Sequence, residues 1–218
     1  MAIKGVIFDF NGTMFMDSDI QERAWRTFLQ RKTGKEITDS EFYEYVHGRN
    51  TDVSLAYFLG KMLNKHEIES LSEEKEIIYR ELCLSDKSRF KLTNGLSKFL
   101  HLLKQSKIPC TIATASGLQN VKFFFEHLHL DEWFNFGNIV YDNGTFPGKP
   151  EPHIFIKASQ KIKIAPENCI VFEDTPSGIM AAKRAGIGRI IGISANPSQS
   201  PLQKIEGLHC IVEDFSMI

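Results

Sequence analysis

Apolar residues fall along this chain in two textures. Residues Ile3–Asp9, Pro109–Ala113, Cys169–Phe172, Arg189–Ile193 and His209–Val212 are short, largely β-branched runs with few polar interruptions. That is the pattern of strands buried on both faces. Each gap between the last four runs carries a helical pattern, so the spacing predicts strands alternating with helices and hence a parallel sheet covered by helices. The stretch between the first and second runs reads as helix throughout. Ala24, Trp25, Phe28 and Leu29 form one amphipathic face, and Thr38 with Glu41 makes a capping box. Val53, Leu55, Phe58, Leu59, Met62 and Leu63 recur at helical spacing, and the charged segment Glu73–Glu81 continues the pattern.

A right-handed crossover needs one helix, so about a hundred residues of helical pattern is better explained as an inserted domain. The expected division is an α/β core over residues 1–15 and 88–218 and a helical cap domain over 16–87, with connectors near Phe15–Asp17 and Asp86–Leu92. The fold class is therefore α/β, a Rossmann-like parallel sheet with an inserted helical cap.

The charge balance changes the picture by exclusion. The 218 residues hold 26 basic and 27 acidic side chains, a formal charge of -1, which leaves no cationic footprint for nucleic acid or an anionic membrane. The first residues show no signal-peptide pattern, and no apolar run approaches a membrane span. A cytoplasmic protein is expected, monomeric by default. Cys83, Cys110, Cys169 and Cys210 lie far apart, without metal or disulfide spacing, and read as reduced, buried thiols.

In parallel sheets, ligands bind beyond the carboxyl ends of the strands. The residues there are Asp9, Asn11 and Thr13, then Thr114, Ala115 and Ser116, then Glu173, Asp174 and Thr175. Three strands thus finish in oxygen-bearing side chains. Asp9 and Asp174 would meet at the sheet edge and repel, and a hard cation such as Mg²⁺ resolves that repulsion. Asp174 could instead cap the helix through Ile179 and Ala182. Lys149, between Pro147 and Pro150, supplies a fixed positive charge for an anion and for Asp9. Thr114 and neighbouring amides, before a helix opened by Ser116 and Gly117, suit phosphate oxygens. Together these describe phosphoryl transfer to Asp9 as the attacking carboxylate. His127 and His129 read as a helix-end pair, and Phe123, Phe124 and Phe125 as packing residues.

Asp9-Phe10-Asn11-Gly12-Thr13, Ala113-Thr114-Ala115-Ser116, Gly148-Lys149-Pro150-Glu151-Pro152 and Phe172-Glu173-Asp174-Thr175-Pro176-Ser177-Gly178-Ile179 resemble, in order, the four motifs of the haloacid-dehalogenase superfamily. The resemblance spans the chain and is nearest to the beta-phosphoglucomutase-like phosphatases, whose helical cap follows the first strand. It implies an aspartyl-phosphate on Asp9, Mg²⁺ held by Asp9, the Asn11 main-chain carbonyl and Asp174, and Glu173 supporting the metal or the lysine. It also implies phosphate contacts from Thr114 and Lys149, with Ala115 and Ser116 beside them. The cap loop His47-Gly48-Arg49-Asn50 resembles one whose arginine grips the distal part of a substrate, which points to Arg49.

Asn11 departs from the family pattern, which has a carboxylate two residues after the nucleophile to protonate the leaving oxygen and activate water. An amide does neither. Gln21 likewise stands where the mutases carry a cap histidine before Arg23-Ala24-Trp25. Three readings follow: a Mg²⁺-dependent phosphatase for a small phosphorylated metabolite, slowed by Asn11; a beta-phosphoglucomutase-type mutase with a substitute acid; or a non-catalytic phosphoester binder. Asn11 favours the first over the second.

Overall fold

The computed structural model describes residues 3–47, 49 and 51–218. The chain divides into two compact units, residues 1–16 with 91–218, and residues 17–90.

The first unit is built on a six-stranded, wholly parallel sheet: β1 (Gly5–Phe8), β2 (Cys110–Gly117), β3 (Val140–Asp142), β4 (Cys169–Glu173), β5 (Arg189–Ile193) and β6 (Cys210–Val212). Spatial order is β3-β2-β1-β4-β5-β6, so the chain steps outward from β1 on one side and then restarts on the other. β1 is buried along its whole length, which is why its sequence is continuously apolar. Phe8 stacks on Phe172 across the β1–β4 pair with ring centroids 5.3 Å apart, and Ile7 and Val171 join a core of Phe155, Ile179 and Ala182.

Four helices serve this sheet: α5 (Leu96–Gln105), α6 (Leu118–Leu128), α7 (His153–Lys161) and α8 (Pro176–Arg184). Phe123 and Phe124 of α6 are buried, in keeping with a packing role. α6 ends at Leu128, with His129 in the left-handed region at φ 52°. Two expectations fail here. β3 lies in the gap read as helix alone, because three residues are too few to display a period of two. The gap between β5 and β6 holds 3₁₀ turns at Pro197–Gln199 and Pro201–Lys204 and no α-helix; two prolines within five residues interrupt the i→i−4 ladder.

The second unit consists of α1 (Ser18–Thr33), α2 (Asp39–Tyr45), α3 (Thr51–Leu59) and α4 (Lys65–Ser85), of which α1 and α4 pack most closely. Ala24, Phe28 and Leu29 are buried on the inner face of α1, and the capping box Thr38–Glu41 opens α2 with both of its hydrogen bonds in place. The long apolar pattern after Val53 is shorter than its spacing suggests. α3 stops at Leu59, Gly60 takes φ +64°, and Val53 and Met62 are exposed. At the base of α1 the Asp17 carboxylate accepts from Tyr79 Oη at 2.6 Å and Gln21 Nε2 at 3.2 Å, while Gln21 Oε1 accepts from the buried Lys75 at 3.1 Å.

Cys83 and Cys169 are buried, but Cys110 is half-buried and Cys210 exposed, so the reading of four buried thiols holds for two. No helix among the described residues is long and apolar enough to cross a membrane.

Candidate active site

The strand order reverses at β1 and β4, and the crevice beyond their carboxyl ends is where an open parallel sheet binds ligands. Register fixes what meets there. Phe8 pairs with Phe172, so the next residues, Asp9 and Glu173, emerge side by side, and Asp9 N donates to Phe172 O at 2.9 Å. Among the described residues, carboxylate oxygens of Asp9, Glu173 and Asp174 lie within 4.8 Å of one another.

Lys149 reaches this group from the loop before α7. Its Nζ donates to Asp9 Oδ1 at 2.5 Å and to Glu173 Oε2 at 2.6 Å, with all three side chains buried. Glu173 spends its other oxygen, Oε1, on Asp174 N, Thr175 N and Thr175 Oγ1 at 3.1, 3.0 and 2.8 Å. It is therefore the fixed end of the cluster. Two glycines make room: a Cβ on Gly178 would stand 2.0 Å from the Glu173 carboxylate, and one on Gly12, already at φ +75°, 2.0 Å from Asp174 Oδ2. Both positions are closed to larger residues by contact, and Gly12 by backbone conformation as well.

Burial and then the Glu173 charge push the Asp9 carboxyl up to about 7 against the opposing pull of Lys149. Burial, Glu173 and Asp9 together carry the Asp174 carboxyl well above the ordinary range. Burial disfavours charge on Lys149, yet Asp9 and Glu173 outweigh it and raise its affinity for the proton. Three clustered carboxylates against one ammonium is an arrangement short of positive charge, and an all-oxygen donor set of this kind fits a hard divalent cation.

Asp174 is not the helix cap. Thr175 holds that place, its Oγ1 accepting from Gly178 N at 3.1 Å, while Asp174 Oδ1 accepts from Thr13 Oγ1 at 3.2 Å. Thr13 was visible in the sequence as a strand-end oxygen, but only the fold gives it this partner. Its carbonyl in turn accepts from Thr93 Oγ1 at 2.8 Å, tying the loop after β1 to the approach to α5. Phe10 anchors the same loop by stacking on Phe124 at 4.2 Å.

The end of β2 supplies the third wall. Thr114 is buried and its Oγ1 accepts from Ser116 N at 3.1 Å, and Ser116 Oγ donates to Asn11 Oδ1 at 2.7 Å. Asp9, Glu173, Asp174 and Lys149 thus form one contact group, and Asn11, Ser116 and Thr114 a second on adjacent strand ends. Ala115 lies exposed between Thr114 and Ser116. Arg49 belongs to the helical unit, where its Nε donates to Glu44 O at 3.1 Å; Gly48 and Asn50 of the same loop lie outside the described residues.

Comparison with known proteins agrees with this construction. The family model of the haloacid dehalogenase-like hydrolases matches residues 3–186. A phosphorylated carbohydrates phosphatase of Thermotoga maritima is 27% identical over 195 residues, 88% of this chain and 85% of that protein. Hexitol phosphatase A of Escherichia coli is 27% identical over 203 residues, 92% and 87% of the two chains. Among solved structures, a family IA, variant 3 HAD hydrolase from Entamoeba histolytica has a TM-score of 0.93 at 35% identity, covering 99% of this chain and 95% of that one. A putative beta-phosphoglucomutase from Thermotoga maritima has a TM-score of 0.71 at 25% identity, covering 96% and 94%. The match of residues 3–186 takes in all four motifs, and the chain is an enzyme that belongs to the haloacid dehalogenase-like hydrolase family.

Proposed function

We propose that this hydrolase is a Mg²⁺-dependent phosphatase for a small phosphorylated carbohydrate or related metabolite, acting through an aspartyl-phosphate on Asp9. The observation that carries the reading is the Asp9–Lys149–Glu173 group: a buried carboxylate at a strand end, paired to a lysine that a second carboxylate holds in place. In this reading Asp9 attacks phosphorus and the bond to the leaving oxygen breaks. Water then attacks the phosphorus of the aspartyl-phosphate and releases inorganic phosphate. Lys149 and the Thr114 hydroxyl receive phosphoryl oxygens. Asp9, Asp174 and the Asn11 main-chain carbonyl would hold Mg²⁺, which when bound supplies the positive charge that the carboxylates and the phosphoryl group lack. Glu173, with one oxygen on three donors and the other on Lys149, supports the lysine rather than the cation.

The helical unit, joined at residues 16/17 and 90/91, serves in this reading as the cap, with Arg49 for the distal end of the substrate. Asn11 orients and donates hydrogen bonds but transfers no proton, so substrates with good leaving groups react fastest and a mutase, which needs acid and base steps in both directions, is disfavoured. The test is phosphate release from aryl, acyl and sugar phosphates with Mg²⁺ and with EDTA, in the native protein and in Asp9→Asn. Turnover that survives EDTA or Asp9→Asn would overturn the mechanism.

A further inference from the structure

The α/β unit has a second concavity, away from the crevice beyond the strand ends. β3 is an edge strand, paired on one side with β2, and between it, the loop that follows and α7 lies a groove of about 500 Å³. Small-molecule sites usually span roughly 300–1,000 Å³. None of the residues placed in the active site lines this groove. Its walls are of two kinds. Phe136, Tyr141 and Phe146 supply aromatic surface, and Lys157, Gln160 and Lys161 come from one face of α7, since residues three and four apart share a helix face. Phe136 is exposed, and its ring is held edge-on to Phe125 with centroids 5.0 Å apart.

The charge in the groove is one-sided. Lys157 Nζ lies 5.2 Å from the centroid of the Phe146 ring, and Lys161 Nζ donates to Gly137 O at 2.8 Å. An ammonium has three protons, so both lysines keep donors after these contacts. Among the described residues that line the groove none is acidic, and neither ammonium is in an ion pair. Asp142, between Tyr141 and Asn143, spends its Oδ1 on Gly144 N at 2.9 Å. Two cations without a counter-charge, in a chain whose formal charge is -1, make a local field that favours an anion.

We infer that this groove binds a planar aromatic anion, its ring system against the aromatic walls and its phosphate or carboxylate group on Lys157 and Lys161. Aromatic rings gain from stacking beyond the area they bury, and an anionic group on two ammoniums gains charge-assisted hydrogen bonds. An aliphatic anion leaves the rings unused, and a neutral aromatic leaves the charges unmatched, so either alone binds more weakly. The inference does not depend on the phosphatase reading, because no residue of the groove takes part in that chemistry.

The experiment is a titration of the isotope-labelled full chain in EDTA, followed by its backbone amide resonances. Adenosine monophosphate and salicylate represent the nucleotide and the aromatic-carboxylate forms of the ligand, with adenosine and inorganic phosphate as the halves. One or both aromatic anions should shift the amides of Gly137, Tyr141 and Phe146 and saturate at about 1 mM or below, with each half at least about fivefold weaker. The tighter of the two anions identifies the source. Lys157→Met and Lys161→Met keep the side-chain stems and remove the charges, and together they should weaken binding about tenfold. Lys157→Met alone, at a residue whose Nζ meets a ring and no carbonyl of the fold, should weaken it about threefold and serves if the double variant fails to fold. Groove amides unmoved by either anion at about 10 mM, shifts confined to the surroundings of Asp9 and Thr114, or affinities unchanged in the methionine variants would overturn the inference. So would groove shifts that follow protein concentration rather than ligand, which would place a second copy of the chain on the β3 edge.

Discussion

Gly178→Ala provides a test in which local and tertiary reasoning give opposite signs. Gly178 is in the first turn of α8, and helix propensity alone predicts that alanine stabilises there by about 0.5–1 kcal/mol. The structure predicts the reverse. The added Cβ would stand 2.0 Å from Glu173 Cδ and Oε2, where ordinary contact begins at 3.4 Å. The carboxylate must retreat by about 1.4 Å, or the helix must move by as much. The far end of a glutamate usually yields, but this one is fixed by Lys149 at 2.6 Å and by three donors at 2.8–3.1 Å. Displacing it weakens three hydrogen bonds to a charged carboxylate, each worth at least about 1 kcal/mol, and leaves part of a buried ion pair unmatched, for a total of about 3–5 kcal/mol. At this chain length that is a fall in Tm of roughly 6–20 °C. Thermal unfolding should be compared with Gly148→Ala, where a Cβ meets nothing within 4 Å. Glu173→Asp, which withdraws the carboxylate by one methylene, should recover part of the loss when combined with Gly178→Ala. A Gly178→Ala melting temperature at or above that of the native protein would refute the claim that the Glu173 carboxylate is immovable.

Asn11→Asp should raise turnover on alkyl phosphates by about 10² or more and change aryl phosphates far less, because only the former need a protonated leaving oxygen; equal rates before and after substitution would dismiss Asn11 as the limit. Because Asn-Gly sequences deamidate, mass spectrometry of the assayed sample must show residue 11 still to be an amide. Asp174→Asn removes one of three crowded carboxylates and keeps an acceptor for Thr13, so in EDTA it should stabilise by about 1 kcal/mol, roughly 2–4 °C, while abolishing the rise in Tm that Mg²⁺ gives the native protein; a variant that Mg²⁺ still stabilises would place the cation elsewhere. At the end of the chain, the Ser216 hydroxyl and then Asn94 hold the Asp214 carboxyl below its usual range. Its folded value is depressed, so its stabilisation is present above about pH 4 and lost as pH falls through the folded value. The Tm difference between native protein and Asp214→Asn should shrink along that descent, and a difference constant with pH would remove the charge from the explanation.

The sequence by itself marked strands at Ile3–Asp9, Cys169–Phe172 and Arg189–Ile193, because a strand buried on both faces reads as a nearly continuous apolar run and so announces itself without any knowledge of its neighbours. It determined the capping box at Thr38–Glu41 for a similar reason, since both partners lie within four residues. It also marked Asp9, Asn11, Thr114, Glu173 and Asp174 as strand-end oxygens, for a parallel sheet sends every such residue to one edge. What it did not carry were relations between distant segments. β3 has only three residues and is defined by pairing with β2. Leu59 ends a helix whose apolar spacing runs on to Leu63, because exposure of Val53 and Met62 is decided by what packs nearby and not by period. Asp174 could read as a helix cap until Thr175 was seen to hold that place. The link from Ser116 to Asn11 joins residues 105 positions apart, and the meeting of Lys149 with Asp9 spans 140. Contacts of that kind are set by strand order and register, which depend on how the whole sheet packs, so tertiary structure alone decided which of the marked residues touch.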